Sequence, residues 1–227
     1  MKNKSCFLGV SAWAQRGLLA AALVSGGVSL TACAPLVVGA ALGTTVMVAS
    51  DRRTSGTQLE DQNIELKAAA RIRERYLDSV RVTVTSYNRV VLISGEVPAE
   101  SVRAGVVDIV SKVENVKGWH NELAVATSPS LTQRSGDSLV TARVKSAFVD
   151  AQDLSANAIK VVTDRGIVYL MGRLTPREIN RATEIARSIN GVRQVVRLFE
   201  TISEDDLRRL QAENAPAQVR DGGDAKR

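Results

Sequence analysis

Apolar and polar positions in the second half of the chain follow a regular programme. Val140, Val144, Ala147 and Phe148 share one helical face, with Asp137 or Ser138 placed to cap the helix. Ile159, Val161 and Thr163 alternate as a half-buried strand, and Asp164-Arg165-Gly166 has the composition of a hairpin turn. Ile167 to Met171 is an unbroken apolar run of the kind a central strand shows. Thr175-Pro176-Arg177-Glu178 opens a second helix with a capping Thr, Pro at the first position and Glu three residues on. Ile179, Ala182, Ile185, Ala186 and Ile189 form its buried stripe, Asn190-Gly191 ends it, and Val195 to Thr201 is a third strand.

The same programme occurs earlier in the chain: a helix around Leu66–Leu77, strands at Val80–Thr85 and Val90–Ser94, a helix at Glu100–Val113 and a strand at Trp119–Val125. Ala70-Arg71-Ile72-Arg73 matches Ala142-Arg143-Val144-Lys145 at an offset of 72, Val90–Gly95 matches Ile167–Gly172 at 77, and Ile109, Val113 and Val116 match Ile185, Ile189 and Val192 at 76. These offsets predict about five extra residues in Ala151–Ala158 and one fewer after Gly172. Each copy is therefore α-β-β-α-β, an α+β unit with a three-stranded mixed sheet and two helices on one face. The crossover makes the second and third strands parallel. Gly95 and Gly172 end the second strand of each copy; a positive φ or a close backbone approach is the structural reading, and a ligand contact the other.

The first residues follow a different rule. Lys2, Lys4 and Arg16 form a basic region, Leu18–Val28 an apolar one, and Leu30-Thr31-Ala32-Cys33 looks like a bacterial lipobox, which makes Cys33 the lipid attachment site. A plain signal peptide with a chance Cys is the rival. Ala34 follows that Cys in place of Asp, which by resemblance to Gram-negative lipoproteins favours the outer membrane. Residues 34–49 are apolar but short of the ~20 that a spanning helix wants, so they are expected at the lipid interface beside the anchor; a spanning segment is the alternative. Thr54-Ser55-Gly56-Thr57 is expected to be a flexible tether.

Composition narrows the function. The formal net charge is +6, but half of it belongs to the leader, leaving an ordinary balance rather than the surface of a polyanion binder. The second copy carries more of the remaining basic excess than the first. One His and two Cys supply neither a His/Cys metal site nor a nucleophile–base set, and no P-loop or G-x-G-x-x-G is present. His120, in a strand beside Trp119, suits a surface or packing role. No cofactor is expected, no enzyme, and no nucleic acid, because the G-x-x-G loop that a KH-type module needs is missing.

Asp137-Ser138-Leu139-Val140-Thr141-Ala142-Arg143-Val144-Lys145-Ser146-Ala147-Phe148, Ile167–Gly172 and Gly191-Val192 resemble a BON (bacterial OsmY and nodulation) domain. The first copy is similar, with Asn88-Arg89 at its hairpin and Asn115-Val116 where Gly-Val is usual. Two such domains behind a lipobox imply a lipid-anchored, periplasm-facing outer-membrane lipoprotein that binds phospholipid. The resemblance also implies support of envelope integrity and cell division, with envelope or division proteins as partners. The expected organisation is a leader over 1–32, anchor, apolar segment and tether over 33–61, BON domains at 62–126 and 137–202, a linker at 127–136, and a short helix with a disordered tail over 203–227.

On the first helix of the second copy, Leu139, Arg143 and Ser146 lie beside the buried stripe. With Val140 and Lys145 they make a candidate site in which an apolar tip enters the headgroup region and bases meet anionic phospholipid. Packing of Leu139 against the first domain, with a solvated basic face, is the bland reading that the residues leave open; the resemblance favours lipid. Arg71, Arg73 and Arg75 are the expected counterparts in the first copy, offset by Glu74 and Asp78. Tyr87, at the first hairpin, is read as an interdomain or membrane contact, against an ordinary exposed Tyr. A non-catalytic adaptor that contacts protein or peptidoglycan is the competing function class.

Overall fold

The computed structural model describes residues 51–127 and 130–213, all within one compact unit. The expected leader, Cys33, the apolar segment 34–49 and the tail from Ala215 lie outside the described residues. No described helix is long and apolar enough to cross a membrane.

The first copy runs α1 (Ser55–Tyr76), β1 (Arg81–Tyr87), β2 (Val90–Val97), α2 (Glu100–Ser111), β3 (Gly118–Val125). The second runs α3 (Leu131–Asp150), β4 (Ile159–Asp164), β5 (Ile167–Leu174), α4 (Pro176–Ser188), β6 (Gln194–Thr201), and α5 (Glu204–Glu213) follows. Each sheet has its long apolar strand in the centre, antiparallel to the hairpin partner and parallel to the strand after the crossover helix. Alternation then sorts the side chains. Val91, Ile93 and Val97 of β2 meet Ile64, Ala68, Ile72 of α1 and Val106, Val110 of α2, while Val168, Leu170 and Leu174 of β5 meet α3 and α4 likewise. Leu92 of β2 and Tyr169 and Met171 of β5 face the other way and pack together with Tyr87. The two sheets thus lie face to face with helices on both outer sides. The unbroken apolar runs Val90–Ile93 and Ile167–Met171 of the central strands are the consequence of burial on both faces.

Both first helices begin earlier than their apolar stripes suggest. Thr54 caps α1, its hydroxyl accepting from the Thr57 amide at 3.2 Å, so the residues expected as a tether form the first helical turn. Ser130 and Gln133 make a capping box for α3, so most of the expected linker 127–136 is also helix. Polar caps and polar first turns read as linker when only apolar spacing is followed. Asp137, expected as a cap, sits inside the helix and accepts from the Arg165 and Gly166 amides at 2.9 and 2.8 Å. Asp61 does the same at Arg89 and Asn88, at 2.7 and 2.8 Å. These paired aspartates, and the buried rows Ile64/Ala68/Ile72 and Val140/Val144/Phe148, put the helix offset at 76 rather than 72. The copies therefore differ by one residue before the hairpin, not five; the Ala-Arg match lay one helical turn out of register.

Both caps suit their turns. Asn88, Arg89 and Arg165 all have positive φ, a conformation that costs a non-glycine residue energy and that a fixed carboxylate offsets by binding the turn amides. Burial alone would raise the Asp61 carboxyl, but donors from Ser86, Arg89, Arg53 and Asn88 outweigh it and hold the group below the usual carboxylate range.

The seam is closed by charged residues that precede α1. Arg52 of this segment reaches the second copy, donating to both Glu178 oxygens at 2.9 and 2.6 Å and to the Arg173 carbonyl at 2.7 Å. Glu178 also completes the α4 capping box through the Thr175 amide, as Thr-Pro-Arg-Glu predicts. Arg53 stands 4.3 Å over the Tyr87 ring and pairs with Asp51 and Asp61. Glu65 of α1 pairs with Lys160 of β4 at 2.7 Å, and Asn88 donates to Glu200. Arg52→Ala should cost about 3 kcal/mol in denaturant unfolding, because it strands a buried carboxylate. Burial pushes Glu178 up, but bonds from Arg52 and Thr175 dominate and lower it. A lowered carboxylate stabilises above its unfolded pKa and loses that contribution as pH falls through the folded value. The Arg52→Ala deficit should therefore shrink on acidification, measured by unfolding across an acid pH series.

Candidate functional site

A groove of about 460 Å³ opens on the second copy, between the first half of α3, the β4–β5 hairpin and the turn after α4. Three features of the chain build it. Gly166 lets the Arg193 stem lie across the hairpin, where a Cβ would come within 2.8 Å of Arg193 Cδ. Gly191 lets the turn close on Val140 Cγ2, 2.9 Å from where its own Cβ would be. The Arg193 amide donates to the Gly166 carbonyl at 2.8 Å, which ties the turn to the hairpin.

Around that floor stand Leu139, 57 % exposed, and the arginines Arg143, Arg165 and Arg193. Arg143 donates to the Asn190 carbonyl at 3.3 Å; among the described residues neither Arg143 nor Arg193 is within ion-pair distance of a carboxylate. The corresponding place on the first copy has its bases paired with a carboxylate. At the corrected offset Leu139 corresponds to Asn63, Arg143 to Lys67 and Asn190 to Glu114. Glu114 pairs with Lys67 at 3.4 Å and Arg71 at 3.0 Å; its own backbone amide first, and then these cations, hold its carboxylate below the usual range, while Asn115 donates to Glu60. The expected counterparts Arg71, Arg73 and Arg75 are thereby replaced by Lys67. A one-turn error in the helix match concealed this difference in charge.

The structure divides the expected site. Leu139 and Arg143 line the groove, and Leu139 is not packed against the first copy. Val140 is a core residue, 6 % exposed, and forms the floor rather than a contacting tip. Lys145 lies on a different side of α3, beside Tyr87 and Lys160, because two residues along a helix turn the side chain well away from Arg143. Ser146 is exposed outside the groove. Arg165 and Arg193 were missed, since they come from a turn and a loop with no periodicity of their own. Gly in the Asp164-Arg165-Gly166 and Asn190-Gly191-Val192 runs was the available signal.

Tyr87 is 4 % exposed and sits in the seam, donating to the Ala158 carbonyl at 3.3 Å. Burial, with the nearby Asp51 charge, pushes its hydroxyl up to about 12. Gly95 has φ +119, and a Cβ there would fall 2.0 Å from the Arg81 carbonyl oxygen. Gly172 has no such φ; the Ala158 carbonyl would lie 2.5 Å from its Cβ. His120 and Trp119 are exposed on β3. Among the described residues no cluster of His, Cys, Asp and Glu could hold a metal.

Two α-β-β-α-β units sharing a seam, each hairpin capped by a helix aspartate, define a tandem α+β module built by duplication. The BON domain model matches residues 60–127 and 136–202, and the chain belongs to the BON-domain family. It is 35 % identical over 183 residues to outer membrane lipoprotein DolP of Haemophilus influenzae, covering 79 % of this chain and 94 % of that protein. It is 29 % identical over 154 residues to the 21 kDa hemolysin of Actinobacillus pleuropneumoniae, covering 67 % and 79 %. Against osmotically-inducible protein Y of Escherichia coli the identity is 27 % over 152 residues, covering 65 % and 76 %. A solved structure of CdsD, a structural protein of the Chlamydia trachomatis type III secretion system, aligns at a TM-score of 0.27 with 13 % identity, covering 70 % of this chain and 99 % of that one. The relationship to DolP makes this an envelope lipoprotein.

Asp137 joins the groove's two halves, since it belongs to α3 and holds the hairpin amides. Asp137→Ala should lower stability by about 1–3 kcal/mol, the cost of releasing bound backbone donors. Amide NMR should show its largest shift changes at Arg165 and Gly166, with the first copy unaffected.

Proposed function

We propose that the protein is a non-catalytic lipoprotein, anchored to the outer membrane through Cys33, whose second BON domain binds anionic phospholipid from the periplasmic side. The observation that supports this reading is the groove: an exposed Leu139 beside Arg143 and Arg193, neither paired with a carboxylate among the described residues, on a floor shaped by Gly166 and Gly191. A large apolar side chain flanked by bases suits the boundary between acyl chains and headgroups, with the aliphatic tip in the lipid and the guanidinium groups on phosphate. Each base near an anionic surface contributes ~1 kcal/mol, so the site is weak by itself. An acyl anchor on Cys33 keeps it at high effective concentration. Support of outer-membrane integrity and division follows from the family resemblance.

Residues 51–227 should bind phosphatidylglycerol vesicles but not phosphatidylcholine vesicles, with an affinity that falls as salt rises. Leu139→Glu should weaken binding without unfolding the domain, because position 139 lies off the core. Asn190→Glu should do the same by giving Arg143 the partner that Glu114 gives Lys67; about a fivefold loss corresponds to one neutralised base. Vesicle co-sedimentation measures all three, and equal binding to both vesicle types would favour a protein- or peptidoglycan-contacting adaptor. Cys33→Ala in the full chain should release the protein from membranes, read by fractionation; retention would favour a spanning segment at 34–49.

A further inference from the structure

The seam contains a charge arrangement that the groove does not explain. Glu96, on the seam face of β2, is 2 % exposed. Its Oε2 accepts from Arg81 of β1 at 3.1 Å, but its Oε1 is buried without a hydrogen-bond partner among the described residues. Arg165 Nε stands 3.9 Å from that oxygen and is also buried, with no hydrogen-bond partner among the described residues. Arg165 Nε stands 3.6 Å from Asp164 Oδ2 of β4, an oxygen that accepts from the Gly95 amide at 3.2 Å. Tyr169 of β5 and its partner Glu122 of β3 complete the titratable groups around this cluster, the Tyr169 hydroxyl being held up by burial and by the Glu122 and Asp164 charges.

Arg165 therefore faces Glu96 and Asp164 without forming the two-pronged bonds that guanidinium groups make with carboxylates. The same residue, with Gly166, walls the groove beside Leu139 and Arg143. Resting on the lipid reading above, we propose that Arg165 is shared between seam and groove, so that an anionic headgroup competes with Glu96 for it and binding takes up a proton at Glu96. A phosphate offers Arg165 the bidentate geometry that the seam withholds. A buried carboxylate that loses its cation answers by protonating. Burial, with Asp164 adding and Arg81 opposing, already raises the Glu96 carboxyl.

The sign follows from linkage. If the bound state favours protonated Glu96, affinity rises as pH falls through the Glu96 carboxyl and reaches a plateau below it. Conversely, lipid raises the pH at which Glu96 titrates.

The test compares wild type, Glu96→Gln and Arg165→Gln in residues 51–227, whose cores and ion pairs close within that segment. The Glu96 carboxyl is titrated by ¹³C NMR without lipid, and binding to phosphatidylglycerol vesicles is measured at one pH above and one pH below that titration. Glu96→Gln should bind about fivefold tighter than wild type at the higher pH and equal it at the lower, the worth of one freed base. PH dependence common to both proteins belongs to the other carboxylates; the difference belongs to Glu96. Arg165→Gln should bind weakly at both values, and its Glu96 should titrate at higher pH than in wild type without any lipid. That variant also carries the test should Glu96→Gln fail to fold. Wild-type binding with a Glu96→Gln affinity and pH profile unchanged, or a Glu96 titration unmoved by Arg165→Gln, overturns the coupling and leaves the groove standing. No wild-type binding to phosphatidylglycerol overturns both.

Discussion

A three-stranded sheet covered by helices on one side still has a second apolar face, and everything else in this protein follows from how that face is hidden. Here each copy hides it against the other. Leu92, Tyr169 and Met171 project away from their own helices and meet with Tyr87 between the sheets. Domains of this size bury too little surface to leave such a face wet, so the duplication is also a stability device. Pairing also fixes which edges meet, and thereby where the polar groups of the seam must find partners. Arg52 with Glu178, Glu65 with Lys160 and Asp164 with the Gly95 amide are three answers to that requirement. Glu96 and Arg165 answer it incompletely.

The two copies share a backbone plan and differ in what they expose. Helix aspartates Asp61 and Asp137 hold equivalent hairpins, and equivalent turns follow α2 and α4. At one position the copies part: Glu114 pairs with its basic neighbours, whereas Arg143, beside Asn190, has no acidic partner among the described residues. Duplicated folds can specialise in this way because a surface loop tolerates a charge change that the shared core would not. Charge at this position, on a shared backbone plan, distinguishes the two copies.

Much of this was legible from the residues alone. Alternation and 3.6-residue spacing located all the strands and both crossover helices, and the Thr175–Glu178 pattern marked its helix start correctly. Parallel pairing of β2 with β3 and β5 with β6 followed from the crossovers. The starts of α1 and α3 were not legible, because their first turns are polar and make no core contact to impose a period. The groove was half visible: Leu139 and Arg143 lie on a periodic element, whereas Arg165 and Arg193 come from segments whose positions depend on the whole fold.

Local physics in the sequence by itself determined the repeated α-β-β-α-β units and their helix-facing cores, since periodicity and turn chemistry act over a few residues. Tertiary structure alone decided that Tyr87 belongs to a seam, that Arg52 clasps Glu178 across 126 positions, and that Arg165 stands between a buried acid and an open groove. Those contacts join residues far apart in the chain, and their energies depend on burial and on neighbours that no local pattern records.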